Sequence, residues 1–346
     1  MLEDNTPTPD VAPSPTESKA IGLPPLGEPL LPQFTLPPVA GFWRRIVAFF
    51  LDGLVLGAAG QAVAWSFSPL WYRIGPYGRL LGFFLALVYF GVLDSRIGRG
   101  QTPGKRVLKV ALRDATGESI GVGRSMLRTL IWLAPVTLNG WTLPIMSNVV
   151  VSGVAGVVLF GVGGAVVLTM VFNRRTRQGI HDLLTHTYVV HTDGWPVEAL
   201  PVAGRLPWVL AGSALALSIA LVPIGGILAS RSNTPLQEML AVQRTLQGDG
   251  RFFSTSVMDQ SFFEGGGETT RVLRIQVWFK GKPTDAERTA VLNDLAAAAL
   301  TLDDVDRFDL LRVDVMSAYD LGFASGYMIT GEDATVDAWR DRLRGE

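Results

Sequence analysis

Five long apolar segments constrain this chain more than any other feature of its sequence. They are Ile46–Trp65, Tyr77–Leu93, Leu127–Ile145, Val149–Phe172 and Leu206–Ser230. An α-helix of about 20 residues spans the ~30 Å hydrocarbon core of a bilayer. Together with the 48% apolar composition, the segments predict an α-helical transmembrane bundle of about five spans rather than buried helices of a large soluble protein. The lipid bilayer is therefore the first partner that we expect, and no nucleic acid is expected.

Basic residues are unevenly distributed between the two sides that five spans would create. One side receives most of the Lys and Arg, including the stretch NRRTR (173–177), whereas the short loops of the other side carry Arg73 and Arg79. Because positive charge marks the cytoplasmic side, we expect the N-terminus inside and everything after Ser230 outside. The predicted location is the bacterial plasma (inner) membrane, crossed several times.

The composition divides the chain into four predicted regions. Residues 1–40 form a disordered Pro-rich cytoplasmic tail, 41–192 a membrane domain, 193–230 a linker with the last transmembrane helix, and 231–346 an extracytoplasmic α/β domain. The net charge of residues 1–230 is +5 and that of residues 231–346 is −6. This asymmetry indicates different surroundings for the two parts.

The last region has the pattern of a small two-layer α/β domain. TRVLRIQVWFKG, DLLRVDVMSAYDLG and GYMITGE favour strands, and TVDAWRDRLR favours a closing helix. The stretch TDAERTAVLNDLAAAAL predicts a helix that begins with a capping box, in which Thr284 is the N-cap and Glu287 completes the box.

The loop GQTPGKRVLKVALRDATGESIGV predicts a short cytoplasmic β-hairpin. Leu108, Val110 and Leu112 alternate with polar or small residues, DATG supplies turn residues, and residues 185–190 could add a third strand. A phosphate-binding loop is excluded because Arg106 stands where a Ser or Thr is required. We interpret GQTPGKR as a basic turn near anionic head groups.

An aspartate lies inside the first apolar segment. Asp52 follows Arg45 by seven residues, which puts both on one helix face but about 10.5 Å apart along the axis. Because an isolated carboxylate in the membrane costs about 2.5–3.5 kcal/mol, Asp52 needs another partner or a proton. A structural contact between helices and a role in ion or proton movement are both open. Beside it, Gly53 and Gly57 form a GxxxG pair, which we interpret as a helix-packing face.

The pieces RIVAFFLD, GQTPGK and IHDLLTHTYVV, in this order, resemble the RDD family of bacterial membrane proteins over residues 40–191. That family is named for one arginine and two aspartates, and the resemblance maps them onto Arg45, Asp52 and Asp182. It implies that these residues form a functional charge cluster near the cytoplasmic face. It also implies transport of an undefined ligand.

Catalytic and cofactor sites are not expected. The chain has no cysteine, and its three histidines all fall in IHDLLTHTYVVH at spacings poor for a metal. We therefore predict no enzyme activity, no metal and no cofactor. The main hypothesis is a membrane protein that transports or couples a small solute or ion through Arg45, Asp52 and Asp182. The alternative is a membrane anchor that presents an extracytoplasmic binding domain, with a homo-oligomer and an extracytoplasmic protein or envelope ligand as candidate partners.

Overall fold

The computed structural model describes residues 39–141, 148–193, 200–230, 234–263 and 269–345. The helices before the last apolar segment are α1 (Phe42–Ser66), α2 (Ser68–Ile74), α3 (Gly78–Leu93), α4 (Pro103–Val107), α5 (Val122–Leu138), α6 (Val149–Gly156), α7 (Gly163–Phe172) and α8 (Ile180–Leu184). They are followed by α9 (Leu206–Ser230), α10 (Thr234–Gln247), α11 (Asp285–Ala299) and α12 (Val336–Arg344). The strands are β1 (Val110–Asp114), β2 (Thr187–His191), β3 (Phe252–Phe263), β4 (Thr269–Phe279), β5 (Leu310–Asp320) and β6 (Ser325–Ala334).

Four helical stretches among the described residues are long and apolar enough to cross a membrane. They are Phe42–Ser66, Ser68–Leu93, Val150–Phe172 and Leu206–Gly225. The third of these runs through α6, a π-helical segment at Val157–Val162 and α7 without a break. The predicted helical membrane bundle is therefore confirmed, with membrane candidates at four of the five apolar segments.

The remaining predicted span, Leu127–Ile145, is not confirmed. Helix α5 begins earlier, at Val122, and ends at Leu138, while residues 142–147 lie outside the described part of the chain. Its 17 residues rise about 25 Å, which is less than the ~30 Å of hydrocarbon. Helix α5 packs against α3, so it belongs to the bundle whether or not it crosses the membrane alone.

The predicted β-hairpin is wrong. Strand β1 pairs antiparallel with β2, with Val110 opposite His191 and Asp114 opposite Thr187. After β1 the chain makes a tight turn in which Asp114 Oδ1 accepts from the backbone N–H groups of Thr116 and Glu118, at 2.9 and 3.0 Å. Because α5 starts at Val122, there is no room for a returning strand, and the sheet is completed by β2, which begins at Thr187.

The predicted tail, residues 1–40, falls almost entirely outside the described residues. Its last two residues are described, and both are buried. Val39 forms an isolated bridge with Val190, and Ala40 N donates to Val189 O at 2.8 Å. These two residues therefore extend the β1–β2 sheet and are not part of a disordered tail.

The C-terminal region contains a four-stranded sheet in the order β3-β4-β5-β6. Neighbouring strands are antiparallel except β4 and β5, which are parallel and are joined by α11, as a parallel connection requires. Alternate residues of the two central strands are fully or almost fully buried on one face, namely Leu273, Ile275, Val277, Leu311, Val313 and Val315. Burial of this apolar surface is the main term that stabilises the domain.

Helices α10, α11 and α12 cover that face of the sheet. Leu292 and Leu295 of α11 and Trp339 of α12 pack into the same core, and Trp339 Nε1 donates to Leu311 O at 3.1 Å. The arrangement is the two-layer α/β domain that the sequence predicts. The capping box of Thr284 and Glu287 is also confirmed. Strand β3 and helix α10 were not predicted.

The turn between β5 and β6 packs against the membrane bundle. We call its residues, Leu321–Ala324, the tip. Tyr319, Leu321 and Ala324 form an apolar cluster with Ala64 and Trp71. The side of the bundle that meets the tip contains the C-terminal half of α1 and the N-terminal half of α3. The C-terminal sheet is therefore joined to the bundle by direct packing as well as by the chain.

Glycines on α1 and α3 make this packing close. A Cβ at Gly82 would collide with the Leu321 carbonyl oxygen, one at Gly78 would lie 2.8 Å from the Asp320 carbonyl oxygen, and one at Gly57 would lie 3.2 Å from that of Phe323. A Cβ at Gly53 would meet nothing within 4 Å. The prediction that the GxxxG pair faces another helix is therefore wrong. Gly57 contacts the tip, and Gly53 lines the cavity between α1, α3 and α5.

We expect Gly82→Ala to lower the melting temperature of the detergent-solubilised protein by several degrees. The added Cβ displaces the tip backbone, and overpacking of this kind costs about 1–3 kcal/mol. Gly53→Ala is the matched control, because its Cβ has free space and Ala is favoured over Gly in a helix by roughly 0.5–1 kcal/mol. Equal melting temperatures for the two variants would contradict the position of the tip.

Candidate functional site

Five charged side chains form one buried network at the end of the bundle opposite the tip. Arg45 pairs with Asp182. Arg128 bridges two acids, with Nε 2.7 Å from Asp182 Oδ1 and Nη1 3.2 Å from Asp94 Oδ2. Asp94 also pairs with the Lys105 ammonium. The order along the network is therefore Arg45, Asp182, Arg128, Asp94 and Lys105.

Four helices and one helix end supply these side chains. Arg45 lies in the second turn of α1 and Arg128 in the second turn of α5, while Asp94 is the residue that ends α3. Lys105 comes from the short helix α4 and Asp182 from α8. The network therefore connects the ends of three long helices through two short ones.

Asp182 is the centre of this network and has no solvent exposure. Burial alone would raise the pKa of Asp182, but the guanidinium groups of Arg128 and Arg45 outweigh it and hold the pKa far below its ordinary value. The carboxylate also accepts from Gly179 N at 3.2 Å. Asp182 is therefore a permanently ionised anchor at physiological pH.

His181 lies beside this carboxylate and adds no charge. Its Nε2 is 3.5 Å from Asp182 Oδ1. Burial, reinforced by the positive charges of Arg128, Arg45 and Lys105, lowers the pKa of His181 to about 3 although Asp182 opposes the shift. The imidazole is consequently neutral at physiological pH.

Asp52 is bound in a different way. It is 1% exposed, and its carboxylate accepts from Tyr89 OH at 3.0 Å, Thr102 Oγ1 at 2.5 Å and Gly104 N at 2.9 Å. Within the described residues it forms no ion pair closer than 4.0 Å. The structure therefore brings Arg45 and Asp182 together as an ion pair. Asp52 lies outside this pair, and its carboxylate accepts hydrogen bonds from three uncharged donors.

The loop motif GQTPGK builds the Asp52 site. Thr102 donates to Asp52 and also caps α4 by accepting from Lys105 N at 3.3 Å. A Cβ at Gly104 would collide with the Ala48 carbonyl oxygen, so only glycine allows its N–H to reach the carboxylate. Lys105 binds Asp94. Thus Thr102, Gly104 and Lys105 act inside the protein, which differs from the basic turn at lipid head groups that we predicted.

An aromatic layer follows the charged residues along each of the three long helices. Phe49 lies one turn after Arg45, Phe90 one turn before Asp94, and Trp132 one turn after Arg128. The Trp132 ring is 5.5 Å from that of Phe49 and 5.1 Å from that of Phe90. All three side chains line a cavity of about 360 Å³ between α1, α3 and α5, whose other end is lined by the tip. The described residues contain no group of three or more His, Cys, Asp or Glu that could hold a metal.

Sequence reasoning missed Asp94, Lys105 and Arg128. Arg128 had a usable signal, because it lies at the second position of a predicted apolar span, where a charge needs a buried partner. Asp94 directly follows the second apolar segment. Its position also indicates a charge that needs a partner, but less strongly, because it lies outside the segment. Lys105 could not be distinguished from its exposed basic neighbours in the loop.

We expect Arg45 and Asp182 to be energetically coupled, and Arg45 and Asp52 to act independently. Removing one member of a buried pair costs about 3–5 kcal/mol. The double variant Arg45→Ala/Asp182→Ala should therefore cost about 0.5–3 kcal/mol less than the sum of its single variants. Arg45→Ala/Asp52→Ala is the matched control, and its effects should add within roughly 0.5 kcal/mol because these residues share no partner.

Unfolding midpoints of the purified protein in detergent provide the measurement. Additive effects for Arg45 and Asp182 would contradict the observed pair, and strong coupling of Arg45 to Asp52 would show a link that the contacts do not contain.

A comparison with known protein families covers the region of the site. Residues 39–186 match the model of the RDD family, and the matched range contains Arg45, Asp52 and Asp182 together with the missed residues Asp94, Lys105 and Arg128. Neither the curated proteins nor the solved structures contain a match. The C-terminal sheet lies outside the matched range, as an additional domain. Over residues 39–186, which are less than half of the chain, this membrane protein is therefore similar to the RDD family.

Proposed function

We propose that the protein couples the movement of a proton to that of a small solute or ion across the membrane, with Asp52 as the proton-binding group. The observation that carries this proposal is the contrast between Asp52 and the two other buried acids of the membrane bundle, Asp94 and Asp182. Asp94 and Asp182 are each held by two cations. Asp52 is held by two hydroxyl groups and a backbone N–H, so it can take up a proton without breaking an ion pair.

The charge balance of the site supports this assignment. Arg45, Lys105 and Arg128 carry three positive charges, and Asp94 and Asp182 carry two negative charges. An ionised Asp52 makes the group of six neutral, and a protonated one leaves it with a charge of +1. Because charge in a low-dielectric region is costly, protonation of Asp52 would change the affinity of the site for an anion or a cation.

Arg45 and Asp182 have structural and electrostatic roles in this proposal. Their pair joins α1 to α8 and closes this end of the bundle, while Arg45 also donates to the Arg177 carbonyl oxygen. Opening a path to the solvent on this side would separate these contacts. The proposal assigns no enzymatic reaction, no cofactor and no metal to the protein.

We expect proteoliposomes with the wild-type protein to dissipate an imposed pH gradient faster than those with Asp52→Asn. Asparagine keeps the size of the side chain but cannot exchange a proton. An entrapped pH-sensitive dye measures the rate. Asp193→Asn is the matched control, since Asp193 is an exposed acid paired with Lys109, and it should behave as wild type. Equal rates for all three proteins would overturn the proposal.

We also propose an orientation, in which the charged network faces the cytoplasm and the C-terminal sheet lies outside the plasma (inner) membrane. Two features support it. The basic loops of the sequence lie at the network end of the bundle, where positive charge marks the cytoplasmic side. The tip of the sheet meets the other ends of α1 and α3. If the N-terminus and the C-terminal sheet lie on opposite sides, the chain crosses the membrane an odd number of times. The four long apolar helices and α5 together give five crossings, so this orientation requires α5 to cross as well.

Two alanine-to-cysteine variants would test this orientation, because the chain has no native cysteine. Ala115 in the β1 turn and Ala286 in the first turn of α11 are both exposed. In intact cells, Ala286→Cys should react with a membrane-impermeant maleimide and Ala115→Cys should react only after lysis. The reverse pattern would invert the orientation, and equal reaction of both would contradict the crossing of α5.

The alternative function is a membrane anchor that presents the C-terminal domain to an extracytoplasmic protein or envelope ligand. The observation that favours it is the tip, which fixes the sheet to the bundle as one body. Absence of Asp52-dependent proton movement would favour this function, because the domain would then be the part that acts. A homo-oligomer is compatible with both functions.

A further inference from the structure

The cavity between α1, α3 and α5 has the chemistry of an amphiphile site. Its volume of about 360 Å³ lies within the roughly 300–1,000 Å³ of small-molecule sites. Apolar side chains form most of its wall, including Leu56, Phe83, Ala86 and Leu133. The aromatic layer separates this wall from the charged network, so an apolar chain in the cavity would not contact buried charge.

Arg79 gives the cavity one charged end. It is the single charged side chain among the described residues that line the cavity, and it lies in the first turn of α3. Its Nη1 donates to the carbonyl oxygens of Thr137 at 3.1 Å and Asn139 at 2.6 Å. These bonds hold the guanidinium at the end of the cavity next to the tip, where it can bind an anion.

Asp320, which directly precedes the tip, places an anion on Arg79, and the tip places apolar groups in the cavity. Arg79 Nε donates to Asp320 Oδ2 at 2.8 Å, and Leu321 and Phe323, which follow directly, line the cavity. Asp320 Oδ1 also accepts from Gly322 N at 2.7 Å, which orders the turn. The Asp320 carboxylate on Arg79 corresponds to the anionic head group of an amphiphile. The apolar side chains of Leu321 and Phe323 correspond to its apolar chain.

We propose that this cavity binds an amphiphile that has one anionic head group and an apolar chain, with Arg79 binding the head group in place of Asp320. The tip is then an internal competitor that occupies the head-group position. A free fatty acid and an anionic phospholipid of the bilayer share this chemistry. The site lies on the other side of the aromatic layer from Asp52, and its occupancy is measured without any transport assay.

Photolabelling of the full-length protein in phosphatidylcholine nanodiscs would test the proposal. The probe is a fatty acid with a diazirine in its chain, and its uncharged methyl ester is the head-group control. Peptide mass spectrometry should locate the label on cavity residues such as Leu133 and Leu56. The lipid-facing residues Leu80 and Val88, which are exposed on α3, report non-specific labelling. The acid should label the cavity residues more than the ester does.

Four variants connect the label to the residues. Arg79→Gln should reduce cavity labelling about 10-fold or more, since a hydrogen bond to a charged group contributes about 1.5–3 kcal/mol. Arg73→Gln, on exposed α2, removes the same charge outside the cavity and should have no effect. Ala86→Leu should reduce labelling by filling the cavity. Asp320→Asn should increase labelling, and it supplies the test if Arg79→Gln does not fold.

Mass spectrometry of an organic extract of the protein purified from membranes would identify the natural ligand. Either a fatty acid or an anionic phospholipid would support the proposal and name its source. The proposal would be overturned by equal labelling with the acid and the ester, by label confined to Leu80 and Val88, or by unchanged labelling in both Arg79→Gln and Asp320→Asn.

Discussion

Burial of the Asp182 carboxylate is the constraint on which the architecture of the membrane domain depends. A carboxylate without solvent exposure is stable only when cations and hydrogen-bond donors surround it. Arg45 and Arg128 provide those cations from α1 and α5, which obliges these helices to meet at α8. Arg128 then extends the same requirement to Asp94 at the end of α3. One buried charge therefore determines where the ends of three long helices converge.

Asp52 shows that a second buried acid a short distance away can be satisfied by different chemistry. Its donors come from α3 and from the GQTPGK loop, so this loop follows the surface of α1 closely enough to exclude a Cβ at Gly104. The network stabilises a fixed arrangement, because each of its side chains is paired with at least one of opposite sign. The Asp52 site contains uncharged donors, and a change of protonation there leaves the ion pairs intact. The network around Asp182 therefore stabilises the structure, and the neighbouring Asp52 site has the proposed function.

The opposite end of the bundle is organised by small residues, together with the Arg79–Asp320 ion pair. Gly57, Gly78 and Gly82 let the tip of the C-terminal sheet approach the backbones of α1 and α3. The tip also lines the cavity, whose other boundary is the aromatic layer. The C-terminal sheet is thus in direct contact with the interior of the membrane domain.

The sequence by itself determined the features that depend on local pattern. Apolar length predicts the membrane helices, alternation predicts β4 and β5, and Thr284 with Glu287 predicts the start of α11, because each of these depends on residues that are close in the chain. The helical rise also correctly separates Arg45 from Asp52 as direct partners. Only the tertiary structure decided which distant groups meet. Strand β1 pairs with β2 and not with its neighbour, Gly57 faces the tip and not a helix, and Arg128 joins two acids from different elements. These contacts link residues from about 30 to more than 250 positions apart, and their energies depend on geometry that local periodicity does not contain.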